Sequence, residues 1–182
     1  MKIDSITFIT GNEKKVEQFK RYCDIPVTHK KLNLDEIQSL DPDEIIGHKV
    51  REAYKIIGSP VLVEDVSLRF NALGKLPGPL IRWFLEELGN EGLCELANKF
   101  PDNSAVAEVH YALFDGDNLQ TFVGRLSGHI PAKPRGNDSF GWNPIFVPDG
   151  SDKTLAEMDL EEHSNFSIRK IALEKLAEYL NS

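Results

Sequence analysis

The run PVLVED, residues 60–65, constrains the fold more than any other stretch of the chain. Val61, Leu62 and Val63 are apolar without alternation, which marks a strand covered on both faces, and such a strand needs a layer of structure on each side. Glu64 and Asp65 follow at once. Two carboxylates after so apolar a run are either solvated where the strand emerges or held at a cleft for metal binding or proton transfer.

The covering layers are legible around it. SITFIT reads as a buried strand, Gly11 and Asn12 turn the backbone, and a helical pattern begins with Val16 and Phe19 inward. IPVTHKKLNL is a second extended segment. Asp41 before Pro42 signals a helix start, and Ile45, Ile46, Val50, Ala53 and Ile57 recur near helical period until Gly58. LGKLPGPLIRWFLEELG predicts a helix with Leu80, Phe84, Leu85 and Leu88 as its apolar stripe and Gly89 as its stop, followed by a short helix in NEGLCELANKF. VAEVHYALF and LQTFVGRLSGHI flank DGDN, a hairpin signal. A last helix starts near Ser167 with Ile171, Ala172, Leu176 and Tyr179 inward. The expectation is an α/β fold, a mixed sheet with flanking helices elongated into two lobes, forming one domain over residues 1–182.

Composition narrows the partners. A net charge of −8 opposes an extended sequence-independent grip on nucleic acid, which needs a basic face, but tolerates a small anion held by local cations. No stretch approaches a membrane span, and Asp4 interrupts any apolar leader in MKIDSITF, so the expected location is cytoplasmic. Cys23 and Cys94 are isolated, which indicates neither a zinc site nor a disulfide framework.

Three segments carry candidate chemistry. In TGNEKK, Lys14 and Lys15 fall in the first helical turn, where unpaired N–H groups already carry partial positive charge, so either an anion lies opposite them or they stay solvated at a cost of about a few tenths of a kcal/mol. A strand, a glycine turn and a helix N-terminus make a phosphate nest, although the segment is not a Walker A loop. Glu36 is a candidate oxygen ligand beside Asp65, with Asp35, Asp41, Asp43 and Glu44 equally available. In DSFGWNPIFVPDG, Phe140 and Trp142 flank a glycine and either stack on a base or pin the loop to the core. Arg169, at the start of the last helix, is electrostatically misplaced unless it faces an acceptor.

Taken in order, FITGNEKKVE, VLVEDVSL, LPGPLIRWF, GNDSFGWNPIFVPDG and KTLAEM with SIRKIAL resemble the motifs of the inosine triphosphate pyrophosphatase family, and the likeness spans nearly the whole chain. The resemblance implies two lobes around a central nucleotide-binding cleft, a homodimer, and magnesium-dependent cleavage of purine nucleoside triphosphates to the monophosphate and pyrophosphate. It implies that Thr10, Gly11, Asn12, Lys14, Lys15 and Lys49 bind phosphate and that Glu36 and Asp65 hold Mg2+. Asp65 is also the implied proton acceptor, with Lys15 beside it as a catalytic cation. Arg82 stands at a basic position, Phe140, Gly141, Trp142 and Asn143 line the base pocket with His163 and Ile168, and Arg169 reaches the purine. A Maf-like pyrophosphatase and a nucleotide-binding protein without turnover are the alternatives; the chain lacks the Ser-Pro-Arg-Arg type of opening of the former.

Three positions depart from the family pattern: Asn143 replaces an aspartate, Ile168 a histidine, and His163 a lysine. All belong to the implied base pocket, so the expected consequence is reduced or shifted base selectivity with the reaction retained, the alternative being neutral drift compensated by neighbours such as Asn165 or Ser164. Asn143 can donate as well as accept, and Ile168 can do neither.

Overall fold

The computed structural model describes residues 3–137 and 140–182. Asp138 and Ser139, inside the aromatic loop motif, lie outside the described residues. The order of elements is β1 (Ile6–Ile9), α1 (Glu13–Tyr22), β2 (Val27–Lys30), α2 (Pro42–Ile57), β3 (Val61–Phe70), β4 (Pro77–Gly78), α3 (Ile81–Ala97), β5 (Ser104–Phe114), β6 (Leu119–His129), β7 (Val147–Pro148), α4 (Leu160–Asn165) and α5 (Ile168–Asn181). The sheet has seven strands in the order β2-β1-β3-β5-β6-β7, with β4 on β3. β1 runs parallel to β2 and β3, whereas β4 and β7 are antiparallel to β3 and β6. This is the mixed α/β architecture that the sequence predicts. No helix among the described residues is long and apolar enough to cross a membrane.

The chain gathers into two compact units. The first holds the residues up to Asp65 with Val109–Gly124 and Arg169–Ser182; the second holds Val66–Glu108 and Arg125–Ile168.

In the first unit the alternation of side chains along each strand sorts the core into two faces. Ile9, Val61, Val63 and Ala112 pack with Ile46, Val50 and Ala53 of α2. On the opposite parity, Phe8 meets Phe19 of α1 and Tyr111 of β5, with ring centroids 6.1 and 6.0 Å apart. Leu62 shares that parity and is fully buried. The helices over these faces begin and end as their sequences dictate. Asn12 caps α1, accepting from the Lys14 N–H, and Asp41 caps α2, accepting from the Asp43 N–H. Gly58 ends α2 in the left-handed conformation.

In the second unit α3 is broken at Gly89, whose φ of 65° and ψ of 179° reset the helical phase. Before that glycine the expected stripe forms only in part: Leu80, Phe84 and Leu85 are half-buried, Leu88 is exposed, and the buried residue is Ile81. Leu93, Cys94 and Ala97 are the buried residues after the break. The inward face of α5 in the first unit also differs from expectation. Ala172, Leu173 and Leu176 are buried, Ile171 is half-buried, and Tyr179 lies at the rim against Phe122, centroids 5.5 Å apart.

Candidate active site

Glu64 and Asp65 do not close a strand. β3 continues through them to Phe70, which corrects the expectation that they mark its end. Glu64 stays in the sheet because the protein, rather than water, satisfies its charge. It is 7% exposed, and its Oε1 lies 3.0 Å from Lys15 Nζ and 2.8 Å from Arg169 Nη2. Arg169 Nε donates to the same oxygen at 3.2 Å, while the Tyr111 hydroxyl donates to Oε2 at 2.7 Å. Burial pushes this carboxyl up, yet Arg169, then Lys15, and the hydrogen bonds from Arg169 and Tyr111 outweigh it and hold the group down at about 2. Burial, followed by the Glu64 charge, pushes the Tyr111 phenol up, which keeps it a donor.

Part of the puzzle posed by Lys15 is thereby resolved within the fold: the anion opposite this first-turn lysine is Glu64. Arg169, at the start of α5, finds its acceptor in the same carboxylate. Sequence reasoning noted Glu64 but did not select it for the site, and it missed Tyr111 entirely. Tyr111 and Arg169 stand 47 and 105 residues from Glu64, beyond the reach of any local period.

Asp65 points to the other face of β3, toward α2. Lys49 Nζ lies 3.3 Å from Asp65 Oδ1 and 3.7 Å from Glu36 Oε1, and it donates to the Glu64 backbone carbonyl at 3.3 Å. Burial pushes the Asp65 carboxyl above its ordinary value; Lys49 pulls it down, and the Glu36 and Glu64 charges push with burial. The structure thus singles out Glu36 from the five acids that the sequence left open, since it shares Lys49 with Asp65.

The β1–α1 turn borders this cluster through Lys15. Thr10 Oγ1 accepts from the Asn12 N–H at 3.1 Å and Asn12 Oδ1 accepts from the Lys14 N–H at 3.0 Å, so both acceptors shape the turn and leave the Thr10 hydroxyl proton and the Asn12 amide as donors. The Thr10 N–H is tied to the Lys30 carbonyl at 3.0 Å, which fixes the turn against β2. A Cβ at Gly11 would lie 3.0 Å from Cδ of the exposed Lys31, a tight contact that the lysine side chain can relieve by moving. Lys14 is exposed.

Two carboxylates that converge on one ammonium can equally converge on a divalent ion. Glu36 and Asp65 fit Mg2+, which characteristically takes one or two carboxylates and completes its shell with water and phosphate oxygens. Among the described residues no group of three or more His, Cys, Asp or Glu gathers to hold a metal alone. Lys15, Lys49 and Arg169 face Glu36, Glu64 and Asp65, three charges of each sign, so a polyphosphate would need added positive charge.

The remaining expected site residues lie in the second unit, apart from the border residue Arg169 already placed. Trp142 packs edge-on against Phe146, centroids 5.6 Å apart, and Asn90 Nδ2 donates to the Gly141 carbonyl at 3.0 Å, pinning the loop. Phe140 is 52% exposed. The Asn143 N–H donates to the Phe140 carbonyl, and His163 sits in α4 with its carbonyl accepting from Phe166. Arg82 pairs with Glu86 one turn on and lies over the Trp83 ring. Ile168 is buried, at 6% exposed.

Residues 6–179 match the sequence model of the Ham1 family. Among solved structures, the chain is similar to a HAM1 protein from Coxiella burnetii, with a TM-score of 0.87 and 25% identity over 97% of this chain and 98% of that one. It is similar to the Ham1 protein of Staphylococcus aureus, with a TM-score of 0.80 and 25% identity over 97% and 98% of the two chains. A nucleoside-triphosphatase, or dITP/XTP pyrophosphatase, from Mycobacterium abscessus aligns with a TM-score of 0.79 and 25% identity over 94% and 98%.

Proposed function

The chain belongs to the Ham1 family, and from that premise we propose that it is a nucleoside triphosphate pyrophosphatase, cleaving inosine- and xanthosine-type purine nucleoside triphosphates to the monophosphate and pyrophosphate. The observation that carries the reading is the placement of Lys49, on α2, between Glu36 and the β3 residue Asp65, with the neighbouring β3 residue Glu64 paired to Lys15 of α1. Phosphoanhydride hydrolysis needs charge neutralisation, an oriented water and a base, and little covalent help from the protein.

In this scheme Lys15 and Lys49 bind the phosphates, with Lys14 adding charge and the Thr10 hydroxyl and Asn12 amide donating at the turn. Asp65 takes the proton of the attacking water, the new P–O bond forms on the α-phosphorus, and the bond from that phosphorus to the bridging oxygen breaks, releasing pyrophosphate. A carboxyl raised by burial is a better base than an ordinary one. Glu64, held at about 2, keeps its charge and orients Lys15 and Arg169. Glu36 and Asp65 would hold Mg2+, which supplies charge neutralisation of the phosphate oxygens when bound.

Arg169 uses Nε and Nη2 on Glu64, which leaves N–H groups able to donate to the keto oxygen of a 6-keto purine. We assign base reading also to the loop Phe140, Gly141, Trp142, Asn143 and to His163, with selectivity shifted among purines by Asn143 and His163. A homodimer belongs to the same proposal.

The test is a panel of inosine, xanthosine, guanosine, adenosine and pyrimidine triphosphates with pyrophosphate detection, with and without magnesium. Magnesium-dependent pyrophosphate release from 6-keto purine nucleotides is expected. Release of inorganic phosphate instead, or tight nucleotide binding with no product, would overturn the reading.

A further inference from the structure

Tyr111 has no part in the scheme above, yet its hydroxyl is buried against the middle of the cluster. The side chain is 1% exposed, its ring packs on Phe8, and its oxygen lies 2.7 Å from Glu64 Oε2. A guanidinium beside a carboxylate ordinarily adopts a fork, one N–H to each oxygen. Arg169 does not: Nε and Nη2 both go to Oε1, at 3.2 and 2.8 Å, and Lys15 shares that same oxygen at 3.0 Å.

We propose that Tyr111 is a positioning residue for the triphosphate site: by occupying Oε2 of Glu64, it denies Arg169 the fork and keeps Lys15 and Arg169 together on Oε1. The inference rests on the pyrophosphatase reading. The end torsion of a glutamate side chain is broad, so the carboxylate has no orientation of its own and takes the one its partners impose. The phenol is rigid, seated in the aromatic packing of the core, and is the only neutral donor among the three side chains that hold Glu64. Without the hydroxyl, Oε2 becomes a buried acceptor with no partner, and the nearest way to satisfy it is for Arg169 to rotate into the fork. That draws the guanidinium across the carboxylate and leaves Lys15 with a weakened hold. Asp65 and Lys49 lie on the other face of β3 and are untouched, so binding should suffer more than the chemical step.

The experiment is steady-state kinetics of Tyr111→Phe on inosine triphosphate at saturating magnesium, with thermal melting alongside. KM is expected to rise roughly three- to tenfold, with kcat within about twofold of wild type. In a Lys15→Ala background the same change should raise KM much less, because the cation it serves is gone. Replacing Tyr111 by 4-aminophenylalanine, which keeps a donor at the ring tip, should hold KM near the wild-type value and provides the readout if the Phe variant does not fold. An unmoved KM in Tyr111→Phe, an equal rise in the Lys15→Ala background, or a raised KM in the amino variant would overturn the assignment. If the wild type releases pyrophosphate from no nucleoside triphosphate, the functional reading itself falls, whereas wild-type turnover with an unmoved Tyr111→Phe KM removes only the role of Tyr111.

Discussion

Glu64 and Asp65 are consecutive residues of one strand with the same functional group, yet the two faces of β3 treat them in opposite ways. On the α1 and α5 face, two cations and a phenol hold Glu64 as a permanent anion at about 2. On the α2 face, burial outweighs Lys49 and lifts Asp65 above its ordinary value. Burial acts on both; what differs is the number of donors that answer it. Neighbouring carboxylates whose affinities for a proton are pushed apart can take separate tasks, one as fixed charge and one as base.

The sharpest way to break this comparison is to remove one carboxylate at a time. Asp65→Asn should lower kcat by roughly two to four orders of magnitude, as expected for loss of a general base, with Tm unchanged or higher because a charge held uncomfortably in the fold is gone. Kinetics and a thermal melt on the same sample check both halves. Glu64→Gln strands two cations, so it should cost about 3 kcal/mol of folding stability in denaturant titration and raise KM by about tenfold, with a smaller effect on kcat.

Acid separates the two carboxylates in the wild type. The folded value of Glu64 lies below its ordinary 4.5, so the stability it contributes is complete above that value and is lost as pH falls toward about 2. The folded value of Asp65 lies above its ordinary 3.8, so its charged form opposes folding, and that penalty is relieved as pH falls through the raised value. Activity should therefore fail on the acid side before the fold does, which parallel pH profiles of kcat and Tm would reveal. The smallest expected effect lies in the second unit: Asn143→Asp should change the ratio of kcat/KM values among purine triphosphates by a few-fold without altering the ratio of Asp65 and Glu64 effects.

Much of this was legible locally. Asn12, Asp41 and Gly58 announce their helix ends, DGDN its hairpin, and VLVED a strand buried on both faces, because caps, turns and apolar runs are written in adjacent residues. The glycine turn before α1 and the adjacent pair Glu64 and Asp65 were visible for the same reason, whereas Glu36 was not separable from its acidic neighbours. What stayed hidden was pairing at long range. Nothing near Glu64 in the sequence announces Arg169 or Tyr111, and only the strand's parity, once Leu62 and Val63 are assigned to their faces, separates the surroundings of Glu64 from those of Asp65. The break at Gly89 falls where the sequence places a helix stop, whereas the exposure of Leu88 just before it depends on packing that a helical pattern does not reveal.

The division of labour on β3 is tested most directly by measuring nucleotide affinity by titration calorimetry and single-turnover hydrolysis of inosine triphosphate in Asp65→Asn and Glu64→Gln, each with magnesium. Asp65→Asn should still bind nucleotide but scarcely hydrolyse it, while Glu64→Gln should bind weakly and hydrolyse what it binds. Equal loss of both properties in both variants, or the reverse assignment, would contradict that division.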